Sequence, residues 1–310
     1  MKKFLTGLLI SMSVLVSAPT LSASSPPPVE LGSTAHFLVL AGAGITLTGP
    51  TNSTLLTGDI GTFPTTTITG LGNVILDGVN HAGDSVTQTA KTDLVTAYSN
   101  AAGRAATVTY PAASELGGLT LIPGVHRNST SFAITGTLTL DAQGDPDAVW
   151  IFQAGSTLIT AAASGVSLTN GAQARNVFWQ VGSSATLGTY SVFRGTILAE
   201  TSITMTTGAM IEGRTLAKNG TVTFDQQIGA LPMPEAPRFT AIYREIGDSM
   251  TVVLRTTPYF LLTLEACPDL LLTNWTTVAT DTPTESSWTN TDFTATSAVT
   301  QRFYRATLTL

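Results

Sequence analysis

The chain has 310 residues, a formal net charge of −6 and only 11% Asp, Glu, Lys or Arg, against about a quarter in an ordinary soluble domain. No basic run follows the first three residues, so the clustered Lys and Arg that neutralise phosphates are missing and nucleic-acid binding is excluded. The 55 threonines imply a surface of hydroxyls and small groups, and the length allows one large domain and a small one.

The first element is a leader. Met1-Lys2-Lys3 is charged, Phe4 to Val16 is mostly apolar, and Leu21-Ser22-Ala23 ends in a small residue. That is the pattern of an export signal over residues 1–23, removed from a mature protein that is secreted or held at the outer surface. The apolar run is shorter than the ~20 residues a spanning helix needs, and no later stretch could span a bilayer. Pro26-Pro27-Pro28 follows as a stiff spacer.

Residues 24–231 form the body, which reads as strand and turn with one exception. His81 to Arg104 has no Pro, and its glycines lie near its ends. Asp84 or Ser85 can cap a helix there, and Gly103 marks its stop. Val86, Ala90, Leu94, Ala97, Tyr98 and Ala101 recur at three-to-four spacing. A helix near 84–103 therefore lays one apolar stripe on a sheet.

Trp150 to Ile228 carries an internal repeat. Val192-Phe193-Arg194-Gly195 is followed 18 residues later by Met210-Ile211-Glu212-Gly213, and Ala185-Thr186-Leu187 by Ile203-Thr204-Met205 and then Val222-Thr223-Phe224. Three short strands per unit cannot bury their own apolar face, so units must stack into a β-helix. Stacking sets Arg194 over Glu212.

Strand alternation sends Ile203 and Met205 to the core and Thr204 and Thr206 to water. The repeat then aligns Thr186, Thr204 and Thr223 in one outward column. Thr157 joins it if Ser156-Thr157-Leu158 matches Ala185-Thr186-Leu187. Ser184, Ser202 and Thr221 flank one side; Gly188, Thr206 and Asp225 flank the other. Each Thr sets a hydroxyl beside a methyl and is stiff at χ1. Such a flat, mostly uncharged array can hold water in a lattice that merges with ice. Stacked Thr also stabilises a sheet with no ligand at all, and periodicity alone leaves both readings open.

The residues resemble a known family. Leu31-Gly32-Ser33-Thr34-Ala35, Phe37-Leu38-Val39-Leu40-Ala41-Gly42 and Gly58-Asp59-Ile60-Gly61 occur in order, then Leu116-Gly117-Gly118-Leu119-Thr120 and Val149-Trp150-Ile151-Phe152-Gln153. Asn176-Val177-Phe178-Trp179-Gln180-Val181-Gly182 and Gly213-Arg214-Thr215-Leu216-Ala217 complete the set. Over about residues 30–229 they resemble the microbial ice-binding proteins with a discontinuous β-solenoid. The resemblance implies a mainly β fold: a right-handed triangular β-helix with one long helix alongside and first strands that pair with later coils. It implies ice binding through one flat face, without enzyme activity, cofactor or metal, by a secreted monomer. The face corresponds to the strand of Thr186, Thr204 and Thr223, with N-terminal contributions near Ala43 and Ile45. An extracellular adhesin or carbohydrate-binding protein on the same fold is the alternative.

Other constellations carry less. His36, His81 and His126 show no paired metal spacing. Asp141, Asp145 and Asp147 read as a turn rich in Asp, Gly and Pro, lacking the bidentate Glu of a calcium loop. Pro232 to Pro237 is a second spacer, a linker over 232–237. Residues 238–310 then read as a small all-β, sandwich-like domain of unknown partner. Trp275 and Trp288 could stack on sugars or fill its core. Cys267, the only cysteine, forms no disulfide within the chain.

Overall fold

The computed structural model of the protein describes residues 25–232, 234, 236–245, 249–256, 260–268, 274–295 and 302–309. The expected export signal lies outside the described residues.

Every strand pair from Phe37 to Ala230 is parallel, as rungs of a coil are. Successive rungs supply strands to three walls. Val192–Ala199 passes from one wall to the next, its first residue pairing with Gly165 and its second half with Val177–Val181. The passage requires stacked glycines. A Cβ on Gly213 would lie 1.9 Å from the carbonyl oxygen of Gly195, which itself has φ +111.

The stacking order departs from the chain order. Phe37–Ala41 pairs with Met210–Ala217 on one side and Asp59–Thr62 on the other. Ile45 sits opposite Val222, and Leu55 opposite Ile228. The chain thus makes its first two turns at one end, travels along the helix, restarts at Val108–Tyr110 and coils back to meet itself. A 19-residue helix spans about 28 Å, the height of about six rungs at ~4.8 Å each.

That helix, Ser85–Gly103, begins where the Asp84 side chain accepts from the Thr87 amide at 2.9 Å. Its buried residues are Thr87, Ala90, Leu94, Ala97 and Ala101. Val86, expected in the apolar stripe, is 45% exposed; Thr87 turns inward because its hydroxyl donates to the His81 carbonyl. The stripe packs on Phe37, Leu40, Ile151, Phe178, Leu198 and Leu216. The Gln153 side-chain amide closes the far end, donating to the Ala101 and Arg104 carbonyls at 2.8 Å each. It thereby satisfies acceptors that a helix end leaves open.

Inside the coil, alternate residues of each strand make one continuous apolar core. His126, Phe152 and Trp179 hold one position in three successive rungs. The Phe152 and Trp179 rings stack at 3.9 Å and 8°, and His126 lies 5.1 Å from Phe152.

The residues after Pro237 form two antiparallel three-stranded sheets. One holds Arg238–Arg244, Met250–Arg255 and Ser287–Asp292; the other holds Leu261–Cys267, Thr276–Asp281 and Phe303–Thr309. Val252, Leu254, Leu262, Leu264 and Trp288 make their core. Trp288 is buried and donates to Asp281 at 2.7 Å, while the Arg305 guanidinium lies 4.5 Å from the Trp275 ring. Core packing accounts for Trp288, whereas Trp275 is half-buried outside that core beneath Arg305. Cys267 is buried.

Candidate functional site

One wall of the coil is a separate eight-stranded parallel sheet. Its short strands alternate cleanly. Ile45, Leu47, Ile203, Met205, Val222 and Phe224 point into the core. The residues between them face out, and pairing fixes their columns.

The central column runs Thr69, Thr46, Thr223, Thr204, Thr186, Ile159, Ala133, Glu115. Five threonines thus follow one another at ~4.8 Å intervals. Among the described residues, the hydroxyls of Thr46, Thr186, Thr204 and Thr223 make no hydrogen bond within the protein. Each keeps its donor and both acceptor sites for what lies outside.

The flanking columns differ. On one side, Ser202 and Ser184 are tied down, with the Thr221 amide donating to Ser202 Oγ at 3.2 Å and the Ser202 amide to Ser184 Oγ at 3.3 Å. On the other, Thr48 and Thr206 donate their hydroxyls to the Phe224 and Leu187 carbonyls at 3.1 and 2.9 Å. Gly188 holds the next place there, where a Cβ would meet the Ala161 carbonyl carbon at 2.4 Å. Asp225 is the charge on this column, and it accepts from the Thr207 hydroxyl. At the far end, Glu115 is turned to its own backbone, accepting from the Gly117 and Thr135 amides at 2.6 and 2.7 Å. These two amides help hold its carboxyl below the usual range against the opposing effect of burial.

Two expectations need correction. Thr157 does not continue the column of Thr186. Leu158 pairs with Ala185 and Ile159 with Thr186, so Thr157 stands beside Ser184, and its hydroxyl donates to Ser131 Oγ at 2.8 Å. The offset between these rungs is 27 residues on the neighbouring wall as well, where Trp150 pairs with Val177. Ile45 is 1% exposed and belongs to the core; the outward residues of its strand are Thr46 and Thr48. Ala43 is exposed at the corner before that strand, its amide donating to the Gly220 carbonyl at 2.9 Å. Thr186, Thr204, Thr206, Thr221, Thr223, Ser184 and Ser202 are half-buried on the outer side of the sheet. Sequence reasoning missed Thr46, Thr69 and Ile159. Ile45-Thr46-Leu47 has the same apolar–Thr–apolar form as Val222-Thr223-Phe224, but no fixed period leads to it.

The histidines have separate surroundings. His36 lies against the Phe260 ring, His81 contacts Asp84 and Asp59, and His126 is in the core. Asp141 and Asp145 accept from the Gln143 and Asp147 amides at 2.8 and 2.9 Å, which is turn geometry.

A family model described as "Ice-binding-like" matches residues 39–228, which take in the coil and its eight-stranded wall. The chain belongs to that family. An "Ice-binding protein" of Nostoc sp. (strain HG1) is 43% identical over 224 residues, 72% of this chain and 81% of the relative. One from Colwellia sp is 36% identical over 232 residues, covering 69% and 88%. Among solved structures, an ice binding protein from an Antarctic Biological Consortium superposes with a TM-score of 0.66 at 43% identity, covering 70% of this chain and 97% of that one. The ice-binding protein of the Antarctic ascomycete Antarctomyces psychrotrophicus gives 0.63 at 39%, covering 66% and 98%. The similarity to this ice-binding-like family thus covers the coil and its helix, and the two antiparallel sheets lie beyond the matched residues.

Proposed function

We propose that this member of the ice-binding-like family adsorbs to ice through the outer side of its eight-stranded wall, and so slows ice growth and recrystallisation. The observation that carries the reading is the central column. Four stacked threonines have rigid β-branched side chains and hydroxyls unused by the protein. Methyls order adjacent water and hydroxyls anchor it, in a plane where ions are sparse. Many weak contacts form together, and little conformational entropy is lost because the array is rigid beforehand.

The rest of the reading follows from the sequence. Residues 1–23 direct export, and 24–231 form a right-handed triangular coil. Residues 232–237 are a linker, and 238–310 form a small sandwich. The protein acts outside the cell, without catalysis. The test is adsorption: fluorescently labelled protein is presented to a growing ice hemisphere beside an inert labelled control. Incorporation of the protein alone supports the reading. Exclusion from ice, with binding to a polysaccharide array instead, overturns it in favour of an adhesin.

A further inference from the structure

A second ordered column runs along a different wall. Ile75, Leu55, Ile228, Met210 and Val192 occupy one outward position in five successive rungs. All five are exposed, by 38–51%. Scattered exposed aliphatics are ordinary, but five in register make a continuous apolar stripe about 19 Å long, four rung spacings of ~4.8 Å. None belongs to the threonine wall.

We propose that this stripe is the contact by which two copies of the chain pair, antiparallel along the coil axis. The neighbouring outward column supplies the reason. It reads Asp77, Thr57, Ala230, Glu212, Arg194 in the same rung order. A two-fold axis through the Ile228 rung, lying in the wall and along its strands, reverses the rung order of the second copy. Ile75 then meets Val192, Leu55 meets Met210, and Ile228 meets itself. In the next column, Asp77 of each copy meets Arg194 of the other, and Thr57 meets Glu212. Asp77 is exposed, and among the described residues no basic group pairs with it. Arg194 is shared between Glu212, at 3.1 Å, and the Val166 carbonyl, at 2.6 Å through Nη1. A pairing that keeps the rung order needs a two-fold along the coil axis, which carries the Asp77 column of each copy to the far side of the other's stripe and loses this complementarity. The arrangement is isologous, as closed dimers are, and it leaves both threonine walls uncovered. One stripe is small for an interface, so the pair is weak, with a Kd on the order of 10–100 µM. This departs from the monomer expected from the family likeness.

Sedimentation velocity on the exported full-length chain, up to about 1 mM, tests it at concentrations bracketing that Kd. The unmodified protein should pass from monomer to dimer. Met210→Lys should weaken pairing at least about tenfold, with an unchanged circular dichroism spectrum, because the side chain already meets water. Asp77→Arg and Arg194→Asp should each weaken it, and the double exchange should restore it. A protein monomeric throughout overturns the proposal, as does a dimer indifferent to Met210→Lys. Failure of the double exchange to restore pairing overturns the antiparallel register. A monomer whose Met210→Lys variant loses ice adsorption makes the stripe an ice surface instead, which also overturns pairing.

Discussion

Thr46 lies beside Thr223 in the eight-stranded sheet, although most of the coil separates them in sequence. Thr69 follows on the far side of Thr46. The proposed ice-facing column is therefore completed by a segment that precedes the helix. Replacing Thr46 by Tyr breaks the plane as surely as Thr223→Tyr or Thr204→Tyr does. Each substitution should lower recrystallisation inhibition by about tenfold, since contacts along a rigid plane act together. Circular dichroism should not change, because all three side chains point outward. Full activity in folded Thr46→Tyr and Thr204→Tyr proteins would place the ice contact elsewhere.

Ile159 interrupts the same column after Thr186, and it is 50% exposed. Ile159→Thr lengthens the run from five threonines to six. It should strengthen adsorption at equal concentration, with a stability change within about 0.5 kcal/mol, as for most surface substitutions. Thr157→Val, one column away, should have the smaller effect. The comparison separates the observed register from the one suggested by matching Thr157 to Thr186. A stronger response at Thr157 than at Ile159 would show that the central column is not the working one.

These two positions also show how far a sequence can be read. The helix was legible because Asp84, Ala90, Leu94, Ala97 and Gly103 bear local signals, a cap, a stripe and a stop. The column Thr186, Thr204, Thr223 was legible because adjacent rungs there follow at nearly constant spacing. Thr46 was not, because its pairing with Thr223 depends on where the helix returns the chain, which no period encodes. Thr157 misled because the true register lies two residues away, a shift that leaves alternation unchanged, and only the pairing of Leu158 with Ala185 decides the matter. The aliphatic stripe was hidden for the same reason as Thr46: Leu55 and Ile75 come from the first turns, whereas Ile228, Met210 and Val192 come from the last.

Gln153 supplies a stability test of the helix dock. It is buried, and its amide donates to Ala101 and Arg104 carbonyls. Gln153→Leu keeps the volume and strands those acceptors, at a cost of about 1–3 kcal/mol. Urea unfolding should show a lower midpoint with an unchanged slope. An unaltered midpoint would mean that water or a backbone shift satisfies the helix end without this side chain.

His126 makes the fold sensitive to acid. Its Nε2 donates to the Ile122 carbonyl at 3.1 Å, and its Nδ1 accepts from the Tyr110 hydroxyl at 3.0 Å. The neutral ring therefore uses both nitrogens, whereas a charged ring would present two donors where one acceptor site is needed. Burial lowers its pKa from 6.5 to about 4, against a smaller raising effect of the Ile122 carbonyl. Between these two values the unfolded chain binds the proton and the folded chain does not, so stability rises with pH across that window and falls as pH drops through it. The shift corresponds to a loss of about 3 kcal/mol by its acid end. Carboxylates such as Glu115 and Asp84, lowered in the folded state, titrate nearby and add their own loss. His126→Gln isolates the imidazole, since an amide keeps a donor and an acceptor but does not ionise. The difference in unfolding free energy between about pH 7 and about pH 4.5 should shrink in the variant by most of that amount. An equal pH dependence in both proteins would mean that His126 is protonated in the folded core, and that the Tyr110 hydroxyl turns to accept from it.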